Sequence, residues 1–168
     1  MHWTRGVSAL VALGFLVASS PSFAVEEVFG RAKVLLGDEV IVEGYTVRLF
    51  GVDAPDRGQE CDDKYGKPVS CDKRARDALR ELIGNVDVTC IDLEPDEGER
   101  LKGTCYAGDI NLNGLMVRKG WAFAYSKESR DYEQPQILAR RENVGLWKLK
   151  LVKPWKWRKL QAEAEKKK

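Results

Sequence analysis

The sequence predicts a mixed α+β domain, mainly β, that is compatible with a five-stranded OB-fold barrel carrying about three helices. Three strand patterns come first along the chain, a helix pattern follows the third strand, and two more strands precede the remaining helices. A ferredoxin-like sandwich requires a helix directly after its first strand, and no segment with helical periodicity lies there. The order of the elements therefore favours the barrel.

Short turns separate the first three predicted strands. The strands are predicted over residues 28–36, 40–42 and 45–52. Gly37–Asp38 supplies the first turn, and Glu43–Gly44 is typical of a hairpin turn. Gly51 indicates a bend or a bulge near the end of the third strand. Residues 54–70, which are rich in Pro, Gly and charged side chains, are predicted to form a loop.

Helices and one further pair of strands are predicted in the rest of the chain. Apolar residues recur every three or four positions over residues 71–83, as in an amphipathic helix, and Gly84 ends the pattern. An acidic turn at residues 94–99 separates the last two strands. These strands are predicted over residues 86–93 and 101–107, and the remaining helices over residues 112–119 and 132–144.

Residues 1–24 are predicted to form a secretory signal peptide that is removed after Ala24. Arg5 supplies a positive start, and residues 7–19 form an apolar run that is shorter than the ~20 residues of a membrane-spanning helix. Residues 22–24 (SFA) form a small-x-small cleavage site. An uncleaved anchor is the alternative. We therefore expect a periplasmic or secreted protein with no membrane segment after cleavage.

The only histidine, His2, lies within the predicted signal peptide. The predicted mature chain therefore has no histidine, which excludes a Ser-His-Asp triad, a Cys-His pair and histidine zinc sites. Any catalysis has to depend on carboxylates, arginine, lysine, tyrosine or a bound ion.

The four cysteines are an even number, as expected for two disulfides in an exported chain. We favour the pairs Cys61–Cys71 and Cys90–Cys105 among three possible connectivities. The first pair closes a short loop, and the second joins two predicted strands across a turn. A zinc site formed by all four thiolates is the alternative, but no CxxC spacing supports it.

Charge is distributed unevenly along the chain. Residues 25–146 contain 18 Lys and Arg against 24 Asp and Glu, whereas residues 147–168 contain 9 against 2. This pattern indicates a basic tail on a slightly acidic body, and it argues against a uniformly basic DNA-coating protein. The tail interleaves lysines with three tryptophans, which either stack on nucleic-acid bases or pack on the third helix.

Two predicted strand ends carry carboxylates. Asp38 lies in the first turn and Asp53 at the end of the third strand, and these two ends can lie side by side in a small curled barrel. With nearby carbonyl oxygens they would form a hard oxygen site that suits Ca²⁺. Asp56, three residues later, would then position a water or act as a general base. Taken alone, the two carboxylates around Pro55 also fit an ordinary turn.

Two arginines accompany these carboxylates. Arg48 lies on the strand that leads to Asp53, and Arg100 begins the fifth strand. A guanidinium group binds phosphate oxygens through two hydrogen bonds, although a surface salt bridge is the ordinary role of such residues. An ion, a carboxylate that orients water and two arginines are the components that phosphodiester hydrolysis needs.

Several motifs in their order and spacing resemble the staphylococcal nuclease (thermonuclease) family. Gly37–Asp38, with Arg48 ten residues after the aspartate and the run RLFGVDAPD, is similar to the family's GDT turn and Arg-led strand ending in D-[TA]-P-E. Arg100 with Gly103 and Cys105 resembles its RYGR-x-x-G strand. Further similar segments are residues 111–120 (NLNGLMVRKG), 121–126 (WAFAYS), 139–147 (ARRENVGLW) and 154–158 (PWKWR). The resemblance covers about residues 30–158.

This resemblance implies a staphylococcal-nuclease-like OB-fold and a Ca²⁺-dependent phosphodiesterase that cleaves DNA and RNA. It implies that Asp38, Asp53 and the backbone carbonyl of Ala54 bind calcium. Arg48 and Arg100 would bind the phosphate and stabilise the transition state, and Asp56 would replace the family's catalytic glutamate. Tyr125 would pack beside the nucleotide.

Three departures from the family pattern keep a second hypothesis open. Asp56 is one methylene shorter than glutamate, Glu39 replaces the threonine of the GDT turn, and residues 96–99 place carboxylates before Arg100. The alternative is a catalytically impaired module that binds nucleic acid or another polyanion, and an envelope-polysaccharide role is a third possibility. We expect a domain over residues 25–158, a charged tail over residues 159–168 and no oligomer.

Overall fold

The structure is a computed structural model that describes residues 25–167. The predicted signal peptide, residues 1–24, lies outside the described residues. Within the part that is described, no helix combines the length and the apolar composition that a bilayer span requires.

The described residues form eleven short strands and four α-helices. The first seven strands are β1 (Glu27–Gly30), β2 (Lys33–Leu36), β3 (Glu39–Val42), β4 (Tyr45–Leu49), β5 (Val52–Asp53), β6 (Glu60–Asp62) and β7 (Pro68–Ser70). They are followed by helix α1 (Cys71–Ile83), strands β8 (Val88–Pro95), β9 (Leu101–Ala107) and β10 (Ile110–Asn111), and helix α2 (Leu112–Arg118). The C-terminal part contains strand β11 (Phe123–Ala124), helix α3 (Glu133–Arg141), a 3-10 helix (Gly145–Lys148) and helix α4 (Pro154–Glu165).

Several predicted elements differ from the structure, among them strand 86–93, which is observed as β8, and helix 132–144, which is observed as the shorter α3. Arg31 and Ala32 interrupt the first predicted strand, so that β1 and β2 pair with different neighbours. The predicted loop over residues 54–70 contains the antiparallel hairpin β6–β7. The third predicted strand is divided at Gly51, whose φ of 74° confirms the expected bend. About three helices were predicted, but α4 is a fourth, and it extends into the predicted tail.

The main sheet is a curled, open half-barrel, which confirms the predicted OB-fold class. Its strand order is β1-β8-β9-β4-β3-β2, so β1 and β2 lie at opposite ends of the path. In a flat sheet these ends would be about 24 Å apart, at ~4.8 Å per strand. The two residues that join β1 to β2 allow a span of at most about 11 Å. The sheet must therefore bend until its edges approach each other.

Both predicted disulfides are confirmed, and no free cysteine remains for a thiolate zinc site. Cys90 and Cys105 lie directly opposite each other on the antiparallel strands β8 and β9. Cys61 on β6 is bonded to Cys71, the first residue of α1, so the β6–β7 hairpin is tied to that helix.

The main core lies inside the curled sheet and is covered by α1 and α2. Its fully buried members include Val40, Val47, Leu49, Val52, Leu79, Leu112, Met116 and Val117. A second, smaller cluster is built around Phe123, whose ring makes edge contacts with Trp147 at 5.2 Å and Trp155 at 6.3 Å between centroids. Two of the three tail tryptophans thus pack against the body.

Asn113 of α2 is a fully buried polar residue that joins the strands next to the candidate site. Its Oδ1 accepts a hydrogen bond from the Cys105 N–H at 3.0 Å, and its Nδ2 donates to the carbonyls of Phe50 at 2.9 Å and Gly103 at 3.1 Å. Phe50 follows β4 and Gly103 lies on β9, so one amide fixes both strands relative to α2. A buried polar side chain is tolerated here because its bonds are made.

We predict that Asn113→Ala lowers the free energy of unfolding by about 3 kcal/mol, because it leaves buried backbone groups without partners. Urea denaturation followed by circular dichroism measures the change. The control is Asn85→Ala, since Asn85 is exposed and its substitution is expected to cost less than about 0.5 kcal/mol. Equal stability of the two variants would contradict the assigned role of Asn113.

Candidate active site

Six of the predicted site residues line a single cavity of about 320 Å³. They are Asp38, Arg48, Asp53, Asp56, Arg100 and Tyr125. Ala54 is buried beside this wall, and its backbone N–H donates to Oδ2 of Asp38 at 3.0 Å. The fold thus gathers residues from the first turn, the third predicted strand and the fifth predicted strand into one place.

Asp38 is held by the tight packing of the β2–β3 turn against α1. A Cβ atom on the preceding residue, Gly37, would lie 2.6 Å from the Cβ of Ala75 and 2.9 Å from that of Ala54, so only glycine fits. The carbonyl of Asp38 accepts a hydrogen bond from the N–H of Leu49 at 2.8 Å. Both ends of Asp38 are therefore fixed, its carbonyl at β4 and its carboxylate at Ala54.

Asp53 and Asp56 are positioned by different parts of the chain. Asp53 lies on β5, where it pairs with Phe123 of the antiparallel strand β11. Asp56 lies in a turn that the buried side chain of Gln59 holds, since the Asp56 N–H donates to Gln59 Oε1 at 3.2 Å. Gln59 in turn donates to the carbonyl of Val152 at 2.6 Å, which ties this turn to the segment before α4.

Burial perturbs the two carboxylates nearest the core, and nearby negative charges add to its effect. Burial raises the pKa of Asp38 to about 7, and the negative charge of Asp53 adds to the shift, while the Ala54 N–H only partly offsets it. Burial also raises the pKa of Asp53, against the opposing effect of hydrogen bonds from Arg158. The ionised forms of both carboxylates are therefore destabilised, and a bound cation would stabilise them.

Arg48 is surrounded by two carboxylates that the sequence did not place beside it. Its Nε donates to Oδ2 of Asp96 at 2.9 Å, and its Nη2 donates to Oε1 of Glu128 at 2.6 Å. Glu128 also accepts the N–H of Gly51 through Oε2 at 2.9 Å, which fixes the carboxylate in the wall. The side chain of Arg48 is only 15% exposed.

Arg100 faces the same acidic cluster. Its Nη2 lies 3.2 Å from Oδ2 of Asp96, and its Nη1 lies 3.5 Å from Oε1 of Glu39. Burial opposes ionisation of Asp96, but the hydrogen bonds and charge of Arg48, together with the Glu97 N–H and the charge of Arg100, outweigh it, so the pKa of Asp96 lies below its ordinary value. Asp96 therefore stays ionised and bridges Arg48 and Arg100. Glu39, which stands where the resemblance implies a threonine, has a side chain that is 11% exposed and contacts Arg100.

Arg158 is an unexpected third arginine in the cavity. It projects from α4, and its Nη2 donates to Oδ2 of Asp53 at 2.7 Å while its Nη1 donates to Oδ1 at 3.0 Å. The same Nη1 lies 3.0 Å and 2.9 Å from the two oxygens of Asp56. One guanidinium thus bridges the predicted calcium ligand and the predicted catalytic carboxylate.

The cavity carries an excess of negative charge. Seven carboxylates and three arginines line it, which leaves a formal charge of −4 when every group is ionised. Oxygen ligands with unbalanced charge suit a hard divalent cation. No group of three or more His, Cys, Asp or Glu side chains within residues 25–167 is arranged to hold a metal ion. Asp38 and Asp53 therefore need backbone carbonyls or waters to complete a cation site.

Tyr125 lies in the wall beside the tail. Its ring is 5.7 Å from that of Trp155 between centroids, with the two planes tilted by 50°. Its backbone N–H donates to the carbonyl of Gly51 at 2.9 Å. The phenol ring therefore reaches the cavity from a fixed backbone, next to the helix that carries Arg158.

Comparison with known proteins shows which family the sequence is similar to. A family model described as Staphylococcal nuclease homologue matches residues 46–149. A protein from Shigella flexneri named Micrococcal nuclease is 34% identical over 179 aligned positions, which cover 95% of this chain and 94% of that protein. The chain belongs to the staphylococcal nuclease homologue family. The family resemblance stated from the motifs is therefore confirmed.

Other relatives show how varied the names within this staphylococcal nuclease homologue family are. An Uncharacterized endonuclease from Escherichia coli O157:H7 is 33% identical over 79% of this chain and 86% of its own length. The Succinoglycan biosynthesis protein ExoI from Rhizobium meliloti (strain 1021) is 29% identical over 86% of this chain and 76% of its own length. The matched family region covers residues 46–149, so four residues of the cavity lie outside it, namely Leu36, Asp38, Glu39 and Arg158.

Sequence reasoning missed three contributors to the site. The sequence patterns give Glu128 no role, place Asp96 only in an acidic run, and place Arg158 in the basic tail. The spacing of Asp96 and Arg100, four residues apart, was the one available signal. The pairings with Arg48 and with Asp53 join positions 48 to 105 residues apart, which no local pattern reveals.

The raised pKa of Asp38 predicts a specific pH dependence of stability. Its carboxyl ionises near pH 3.8 in the unfolded chain but near 7 in the folded protein, so the folded state retains the proton between these values. The stability that Asp38 contributes is therefore fully present below about pH 4 and is lost as the pH rises through about 7.

We predict that wild type loses stability relative to Asp38→Asn between pH 4 and pH 7, by at most about 1.4 kcal/mol per pH unit. Urea unfolding in EDTA across this range measures the difference. Asp109→Asn, at an exposed turn, serves as the control and should follow the wild-type profile. Parallel profiles for wild type and Asp38→Asn would refute the assigned protonation.

Proposed function

We propose that this protein is an exported, calcium-dependent nuclease of the thermonuclease type that hydrolyses phosphodiester bonds in DNA and RNA. The observation that carries the proposal is the single cavity in which the carboxylates Asp38, Asp53 and Asp56 lie with Arg48 and Arg100. Membership of the staphylococcal nuclease homologue family and the relatives named as nucleases support it.

The donor set fits calcium. Asp38, Asp53 and the backbone carbonyl of Ala54 would hold the ion, since oxygen ligands in a negatively charged cavity match its preference. When bound, calcium supplies positive charge against the oxygens of the scissile phosphate. The excess of carboxylates in the cavity also means that a polyanion is repelled until a cation offsets their charge.

The remaining residues have roles that the chain itself can supply. Asp56 orients the attacking water and accepts its proton at a carboxylate oxygen, as a general base. Arg48 and Arg100 donate hydrogen bonds to the phosphoryl oxygens as negative charge grows there. Because Asp96 and Glu128 already hold Arg48, the substrate phosphate has to replace part of that network. Tyr125 packs beside the nucleotide as an aromatic surface.

The disulfides support the exported location, because such bonds persist in oxidising compartments outside the cytosol. We assign the folded domain to residues 25–158 and place the charged tail from residue 159 onward. In this assignment the helix α4 belongs to both, since Pro154 and Trp155 pack on the body and its last two turns extend into the tail.

A second candidate function follows from the pairing of the arginines. Arg48, Arg100 and Arg158 each contact carboxylates of the chain itself, at distances of 2.6–3.2 Å for the shortest contact of each. If these pairs persist with substrate, the protein is a catalytically impaired module that binds nucleic acid or another polyanion. Such a module binds single-stranded DNA in a salt-sensitive manner but does not cleave it.

We predict that the purified protein cleaves single-stranded DNA and RNA in Ca²⁺ and that EDTA abolishes the cleavage. Asp53→Ala should lower the rate at least about 100-fold, because it removes a cation ligand and leaves charges in the cavity unbalanced. Asp109→Ala removes an exposed carboxylate outside the cavity and should keep the wild-type rate.

Binding and cleavage measured on the same DNA separate the two candidate functions. Binding at low salt without any Ca²⁺-dependent cleavage would reject the nuclease and support the binding module. Cleavage that Asp53→Ala leaves unchanged would show that this cavity is not the active site. If the protein neither binds nor cleaves the DNA, both candidate functions are rejected.

A further inference from the structure

Arg158 occupies the place in the cavity that the proposed function gives to a cation. Both oxygens of Asp53 accept hydrogen bonds from its guanidinium, at 2.7 Å and 3.0 Å. Both oxygens of Asp56 lie within 3.0 Å of Nη1 of the same group. A planar guanidinium that engages a carboxylate through two N–H groups is the strongest such pairing among side chains.

We propose that Arg158 is a positioning residue that competes with the divalent cation for the oxygens of Asp53. It holds Asp53 and Asp56 together when no cation is bound and leaves Asp53 when the cation enters. This inference rests on the proposed function, because it concerns the same carboxylates.

The competition follows from distance and charge. Calcium binds carboxylate oxygens at about 2.3–2.6 Å, and the guanidinium already donates to both Asp53 oxygens at hydrogen-bonding distance. Two cationic groups on one 8%-exposed carboxylate would repel each other strongly in this partly desolvated wall. Loading the cation therefore requires the Asp53 hydrogen bonds of Arg158 to break, and the cost of breaking them lowers the apparent affinity for calcium.

The surroundings of Arg158 allow it to leave. Its side chain is 46% exposed, so the guanidinium can turn toward solvent or remain on Asp56 alone. Trp155, three residues earlier and on the same face of α4, anchors the helix through Phe123 and Tyr125. The side chain can therefore move without movement of the helix that carries it.

The neighbouring residue Lys159 provides a matched control. It lies on the same helix and also carries one positive charge, but it is 79% exposed and its nearest carboxylate is Glu163 at 3.9 Å. Lys159→Gln removes a charge from the residue that follows Arg158 without touching Asp53 or Asp56. Any effect of Arg158→Gln beyond that of Lys159→Gln is due to the direct contact rather than to net charge.

Isothermal titration of Ca²⁺ into the purified protein tests the proposal. We expect Arg158→Gln to bind Ca²⁺ at least about tenfold more tightly than wild type, and Lys159→Gln to lie within about twofold of wild type. Arg158→Lys keeps the charge but not the pair of hydrogen bonds to Asp53, and its Ca²⁺ affinity should lie between those of wild type and Arg158→Gln. In EDTA, Arg158→Gln should also lower the melting temperature, and added Ca²⁺ should raise it more than in wild type.

The measured Ca²⁺ affinities decide between competition and the alternative roles of Arg158. Equal or weaker Ca²⁺ binding by Arg158→Gln would overturn the competition and make Arg158 a support for the ligands or a tether for α4. If wild type still cleaves DNA in Ca²⁺, that result leaves the proposed function standing. If neither wild type nor Arg158→Gln binds Ca²⁺, both the competition and the calcium-dependent function are wrong.

Discussion

The burial of two neighbouring carboxylates, those of Asp38 and Asp53, is the constraint on which the rest of this site depends. Burying two like charges side by side is unfavourable. Contacts of the backbone with neighbouring elements hold both residues in place despite this cost. Gly37 lets the turn of Asp38 press against α1, and the short pairing of β5 with β11 fixes Asp53. A cavity built in this way favours the binding of positively charged groups.

Arginines of the chain itself supply part of this positive charge. Arg158 lies on Asp53 and Asp56, while Asp96 and Glu128 surround Arg48 and extend the alternation of charges along the wall. Such a network pre-organises the arginines and carboxylates before substrate arrives, which favours catalysis. A cation and a substrate phosphate must also displace side chains that are already paired with each other. The affinity for the cation and the rate of cleavage therefore depend on how easily those pairs break. The same contacts thus separate the two candidate functions.

The sequence was informative about local structure and chemistry and much less so about pairing over distance. The limits of α1 and β9, the bend at Gly51 and both disulfides follow from periodicity, turn residues and cysteine spacing. The break between β1 and β2 does not, because it arises from closing the curled sheet rather than from any residue that ends a strand. Arg158 and Glu128 were missed for the same reason, since only the folded chain brings them to the cavity.

A crystal structure grown with calcium would show whether Asp38 and Asp53 together bind one calcium ion. The anomalous signal locates the ion independently of any assumption about the side chains. We expect one ion in contact with both carboxylates, with the Ala54 carbonyl completing its ligands. A saturated crystal with no ion between Asp38 and Asp53, or with calcium bound only elsewhere on the protein, would contradict it.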